Sequence, residues 1–216
     1  GVLIAIMAAL PLGILSAARP GSAVDHISTA LAFVGSGLPG FFLSLLAIYV
    51  FAICLNWAPA SGMYTTGTTG TLPDLLRHLA LPAGVIALSN MGSLLKQTRS
   101  AMTEVLQEPF LKAARSCGLS TWAVLVRHGF RNALLPVLTT ILSHIPHIIG
   151  GSVVVERIFG WPGMGSLILT AIQGRDYTLV MGTTVLIALS VLGANLLLDV
   201  LYGIADPRIS YERSRL

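Results

Sequence analysis

Residues 179–204 read LVMGTTVLIALSVLGANLLLDVLYGI, with Asp199 the only charged side chain in the run. About 20 consecutive apolar residues suffice for a helix to cross the hydrocarbon core of a bilayer. This stretch therefore reads as a membrane span. Four further blocks approach the same length: roughly 133–155, closed by Glu156-Arg157, and roughly 78–95, closed by Lys96. The other two are roughly 30–55, closed by Asn56-Trp57-Ala58-Pro59, and roughly 1–18, closed by Arg19-Pro20-Gly21. Pro11, Pro39, Pro82, Pro136 and Pro146 fall inside them, which membrane helices tolerate because neighbouring helices satisfy the freed backbone groups. The expected fold is an all-α, polytopic transmembrane bundle of about five spans, forming one domain over residues 1–216.

Composition agrees. The chain is 54% hydrophobic and only 10% charged, against about 25% charged in soluble domains, and its mean hydropathy is +0.81. A soluble protein of this size has to cover its surface with polar groups, so the missing polar surface faces lipid. The pI near 9.4 does not point to nucleic acid, because the basic residues sit between apolar blocks rather than in one stripe. The two cysteines, Cys54 and Cys117, fall at different expected membrane depths, so no disulfide is expected. Neither has metal-ligand company nearby. Gly1 is followed directly by an apolar run with no basic n-region and no cleavage site, so the expectation is a fragment whose true N-terminus is missing.

Basic residues orient the spans. Lys96, Arg99, Lys112, Arg115, Arg127 and Arg131 lie in the 96–132 loop, and Arg19, Arg208, Arg213 and Arg215 share its side if five helices alternate. Only Arg77, Arg157 and Arg175 lie opposite. The positive-inside rule then puts the loop and the C-terminus in the cytoplasm. Ser61 to Thr71 and Glu156 to Thr178 fall outside. The second of these is too apolar for a free loop: Ile158, Phe159, Trp161, Leu167, Ile168, Ile172 and Tyr177 predict a short interfacial helix anchored by its aromatics.

Within the 96–132 loop, Pro109 suits a first helical turn, Gly118 a left-handed C-terminus, and Ser120 the cap of a second helix. Phe110, Ala113, Ala114 and Cys117 recur at i, i+3, i+4 and i+7, which makes one apolar face, with Lys112 and Arg115 elsewhere. So short a helix does not hold itself together in water. It either docks on another protein or rests on its own membrane domain.

Here the run Ala113-Ala114-x3-Gly118, followed by Leu134-Leu135-Pro136, resembles the EAA loop of ABC importer permeases. Lys112 stands where many members have Glu, and the Gly-to-Pro spacing is longer than the compact form. Both departures are similar to the dipeptide/oligopeptide/nickel branch of binding-protein-dependent inner membrane components. So are Thr98-Arg99-Ser100, Gly118-Leu119-Ser120, Arg127-His128 and Arg131-Asn132-Ala133. The likeness extends to Ala58-Pro59-Ala60-Ser61-Gly62, Leu81-Pro82, Val155-Glu156, Ile158-Phe159 and Pro162-Gly163-Met164-Gly165. It continues through Arg175-Asp176-Tyr177, Asn195-Leu196, Asp199, Tyr202 and Asp206-Pro207-Arg208.

The resemblance implies a permease subunit in the bacterial inner membrane, importing peptides or similar small solutes such as nickel chelates. It implies no catalytic residue and no metal ligand. Pro109, Phe110, Ala113, Ala114, Cys117 and Gly118 would form the coupling helix seated on an ATPase. The implied partners are a second permease, two ATP-binding subunits and an extracytoplasmic solute-binding protein. ATP and Mg would be held by the ATPase subunits and not by this chain. Neither Lys96 nor Lys112 stands in a phosphate loop.

His144 and His147 share one face of the fourth block and are candidates for the translocation pathway, the alternative being hydrogen bonds to neighbouring helices. Ionisable groups within a membrane are functional candidates by default, so an intramembrane enzyme is the rival reading. It finds neither H-E-x-x-H nor G-x-S-x-G here. A passive channel would show rings of charge or a backbone-lined filter and would leave the docking helix unexplained.

Overall fold

A computed structural model of the chain describes residues 1–67, 70–116, 120, 123–144 and 153–205. Every regular element among them is helical. In order they are α1 (Val2–Ala18), α2 (Ala23–Gly37) and α3 (Gly40–Ala47), which runs on as a π-helical stretch Ile48–Cys54. Then come α4 (Leu72–Gln107), α5 (Pro109–Ser116) and a π-helical stretch Val124–Phe130 leading into α6 (Arg131–Ser143). The last three are α7 (Val153–Ile158), α8 (Met164–Gln173) and α9 (Tyr177–Ala205).

The five expected spans are not all found as single long helices. By length and composition α4 and Tyr177–Leu201 of α9 can each cross a membrane. The second block is broken: Ala23–Gly37 and Gly40–Cys54 form a pair bent by 110°, which makes a third span only if counted together. The break falls at Leu38, held extended at φ −99°, ψ 135°. Pro39 disfavours the α region for the residue before it. The first block is a helix of 17 residues, and the fourth is described as helix only to Ser143 and again from Val153.

The third block also needs correcting. Its helix does not stop at Lys96 but continues to Gln107, so the first third of the expected 96–132 loop is helix. Nothing in Lys96 to Gln107 opposes helix, since Gly and Pro are absent there and most of its side chains are unbranched. The helix ends where Glu108 becomes extended, at ψ 139°, in front of Pro109. The two breaks share one cause.

Small residues bring α1, α2 and α4 together. Ala5 and Ala9 of α1 are fully buried, and a Cβ on Gly13 would lie 2.7 Å from the Thr98 Cβ. Between α2 and α4 the backbones themselves touch. A side chain on Gly35 would collide with the Leu88 carbonyl, and one on Gly92 would lie 2.8 Å from the Ala32 carbonyl oxygen. Close approach of this kind is how helices gain packing energy in lipid. Ala83 and Ala87 of α4 are likewise buried.

Of the segment expected as one short helix from Ile158 to Tyr177, only Met164–Gln173 forms it, as α8, and Trp161 and Tyr177 lie outside it. Its neighbour α9 carries Met181, Val185, Leu189, Leu192, Leu196 and Val200 exposed on the isolated chain, as suits a helix facing lipid or another membrane subunit.

Candidate functional site

The expected docking segment forms a helix, α5, placed directly at the end of α4 by the Glu108–Pro109 break. Leu111 is fully buried and ties α5 to the body, against α4 and the π-helical stretch before α6. Phe110 points the other way and is 44% exposed. Pro109 and Phe110 are thus located in the first turn. Ala113 and Ala114 belong to α5 with their side chains outside the described parts, and Cys117 and Gly118 lie outside the described residues. Leu111 was not on the expected apolar face, although one turn of helix separates it from Ala114 and Arg115 and the residue is plainly apolar.

His144 sits at the end of α6, where its Nε2 lies 3.1 Å from the Ser93 Oγ of α4. It also lines a cavity of about 940 Å³ together with Ser89, Asn90, Glu156, Trp161 and Gly163. The bond to a neighbouring helix is thus present, and the same side chain reaches a cavity. His147 lies outside the described residues. Asn90 and Ser93 are partly self-satisfied: the Asn90 amide donates to the Ile86 carbonyl at 2.7 Å and Ser93 to the Asn90 carbonyl at 3.0 Å.

Glu156 is buried, and its Oε2 accepts the Ser166 backbone N–H at 2.7 Å. That N–H belongs to the first turn of α8, where the positive end of the helix dipole favours a carboxylate. Gly163 is required by the same contact, since a Cβ there would lie 2.5 Å from the Glu156 Oε1. The Val155-Glu156 and Pro162-Gly163-Met164-Gly165 motifs are therefore one structure.

Two clusters escaped the sequence reading. In the first, Gly62 N donates to the Phe159 carbonyl at 2.8 Å, and His78 Nδ1 lies 3.0 Å from the Gly62 carbonyl. Thr65 donates to Asp74 from its backbone N at 2.8 Å and its hydroxyl at 2.7 Å. The loop after the π-helical stretch is thereby pinned to the start of α4 and the end of α7. The i,i+4 pair Asp74 and His78 was a visible signal.

In the second cluster, buried Asp25 receives the Arg99 Nε at 2.8 Å, the Arg99 Nη2 at 3.2 Å, the Ser16 hydroxyl at 2.5 Å and the Gly21 N–H at 2.9 Å. One carboxylate joins α1, the turn after it, α2 and α4. Ser22 three residues before Asp25 was the available signal, for it caps α2 by accepting the Asp25 N–H at 3.3 Å.

Long apolar helices packed through glycine and alanine, a cavity between them that carries a few polar groups and a short helix on the end of the longest rod define a polytopic helical membrane protein. Residues 9–211 match the family described as binding-protein-dependent transport system inner membrane component, and the chain belongs to that family. It is 44% identical over 209 residues to the oligopeptide transport system permease protein AppB of Bacillus subtilis, and 43% over 209 residues to a putative peptide permease protein of Brucella suis. Each of these alignments covers 97% of this chain and 66% of the relative. It is 33% identical over 225 residues to the dipeptide transport system permease protein DppB of Escherichia coli, covering 94% of this chain and 66% of that protein. The chain thus spans just under two thirds of the length of these relatives.

Proposed function

We propose that this chain is the permease part of an ATP-driven importer for peptides or similar small solutes, and that it transmits work done by a separate ATPase to the membrane bundle. The observation that carries the reading is the unbroken 36-residue α4. It lines the His144 cavity at Pro82, Ser89 and Asn90 and delivers α5 at its far end, with Phe110 exposed. A force on α5 reaches the cavity through one rigid element.

In this reading two ATP-binding subunits hold ATP and Mg, and α5 seats in one of them through Phe110, Ala113 and Ala114, with Cys117 and Gly118 completing the turn. A second permease packs beside this one, and a solute-binding protein delivers cargo from the opposite side. Closure of the ATPase pair rocks α4 and opens the cavity, where His144 and His147 face the pathway. The C-terminus and α5 lie in the cytoplasm, as the basic residues predict. The names of the peptide-transport relatives support the substrate class.

The test is Ala114→Glu in the full-length transporter, read by co-purification of the ATPase subunits and by uptake into reconstituted vesicles. A charge in an apolar contact costs several kcal/mol unless it is paired. The subunit should still insert, while ATPase retention and uptake fall together. Full ATPase binding with normal uptake would refute the coupling role of α5.

A further inference from the structure

A cavity of about 650 Å³ opens between α2 and α4 at the end nearer α5, away from the His144 cavity. Its floor is rich in donors. The Lys96 ammonium, which carries three protons, bonds the Ser36 Oγ at 2.9 Å. The Arg99 guanidinium, with five N–H groups, turns Nε and Nη2 towards Asp25 and has a side chain 44% exposed. Its Nη1 makes no bond among the described residues. Ser28 is 2% exposed and lines the same cavity. Its hydroxyl has no partner among the described residues. A buried hydroxyl left unpaired costs free energy, and charged donors facing a groove within a membrane protein need an acceptor.

The wall is mixed: Phe33, 72% exposed, stands over the floor with Ala32 and Leu95, while Thr103 and Gln107 line the side towards α5. Lys96 marks the point where α4 passes from apolar to polar sequence. Of the nearby carboxylates, Asp25 is saturated by its own four bonds. Glu104 also lines the cavity, at the end nearer α5, about 12 Å along the helix from Lys96.

We propose that this cavity binds the phosphate of a membrane phospholipid headgroup, with Lys96, the outer face of Arg99 and Ser28 as donors and Phe33 against the acyl chain. Basic pockets between membrane helices take lipid headgroups in this way. The amphiphilic lining favours a lipid over free phosphate, although both carry the same oxyanion.

The test titrates dihexanoylphosphatidylglycerol onto the full-length transporter in detergent and reads the bound fraction by native mass spectrometry. The matching diacylglycerol and inorganic phosphate serve as competitors. Lys96→Gln should weaken the lipid about five-fold, the factor one basic residue is worth at a membrane surface, and Ser28→Ala should weaken it in the same direction. Both sites tolerate the change, one being exposed and the other losing only a hydroxyl, and an unaltered melting temperature without lipid checks this. Diacylglycerol should not compete. Unchanged lipid binding in both variants, or equal competition by diacylglycerol, would overturn the site. Complete displacement by millimolar inorganic phosphate would overturn the lipid as its occupant.

Discussion

Arg99 reaches from α4 across to Asp25 and Ser16, so a single side chain closes three helices around one carboxylate. Removing one partner leaves the other charge uncompensated, an effect that the exposure of Arg99 weakens. Asp25→Leu should therefore lower the melting temperature of the purified protein more than Asp25→Leu combined with Arg99→Met, which removes both charges. A larger fall in the double variant would show that the ion pair is not what joins these helices. At Gly92 a different force is at stake. Gly92→Val would press a side chain into the Ala32 carbonyl and Ser36, and overpacking of this kind costs about 1–3 kcal/mol. Folded yield should drop, with Gly84→Val as a control because no atom lies within 4 Å of a Cβ there. Both positions escape the sequence, where Gly84 and Gly92 look alike and only the neighbouring helix separates them.

At the scale of elements, α4 is the part whose length matters. Its span-like portion is legible as an apolar run, but its continuation to Gln107 is not, because hydropathy reports where lipid ends and not where a helix ends. If the rod transmits motion, a break beyond the Arg99 clamp should uncouple the two ends without removing either. Glu104→Pro, at an exposed position, removes one intrahelical bond and costs about 3 kcal/mol locally. The ATPase subunits should remain bound while substrate no longer stimulates ATP hydrolysis and uptake is lost. Normal stimulation in that variant would show that α4 is not the transmitting element. The bend after α2 and the start of α5 were both marked by a proline, and the residue before each is extended for the same steric reason.

For the molecule as a whole, charge asymmetry predicts which loops share a side. In a background lacking Cys54 and Cys117, a cysteine at Thr66 should react with an impermeant thiol reagent on intact cells, and one at Thr103 only after permeabilisation. Equal labelling would refute the orientation. The exposed apolar length of α9 belongs to this scale too, since a helix so little covered by its own chain has to meet lipid or another subunit.

The apolar runs, their spacing and the basic loop sufficed to determine that this is a helical membrane protein with a short helix beyond Glu108. These features rest on local energetics: transfer of side chains to lipid, hydrogen bonding within each helix, and proline sterics. Tertiary structure alone decided that Gly35 and Gly92 are crossing points and that Glu156 caps α8. It alone brought Asp25 to Arg99 across 74 residues and His144 to Ser93 across 51. Such pairs depend on which faces meet when the helices pack, and a run of apolar residues carries that information only weakly because nearly every face of it can be buried or left in lipid.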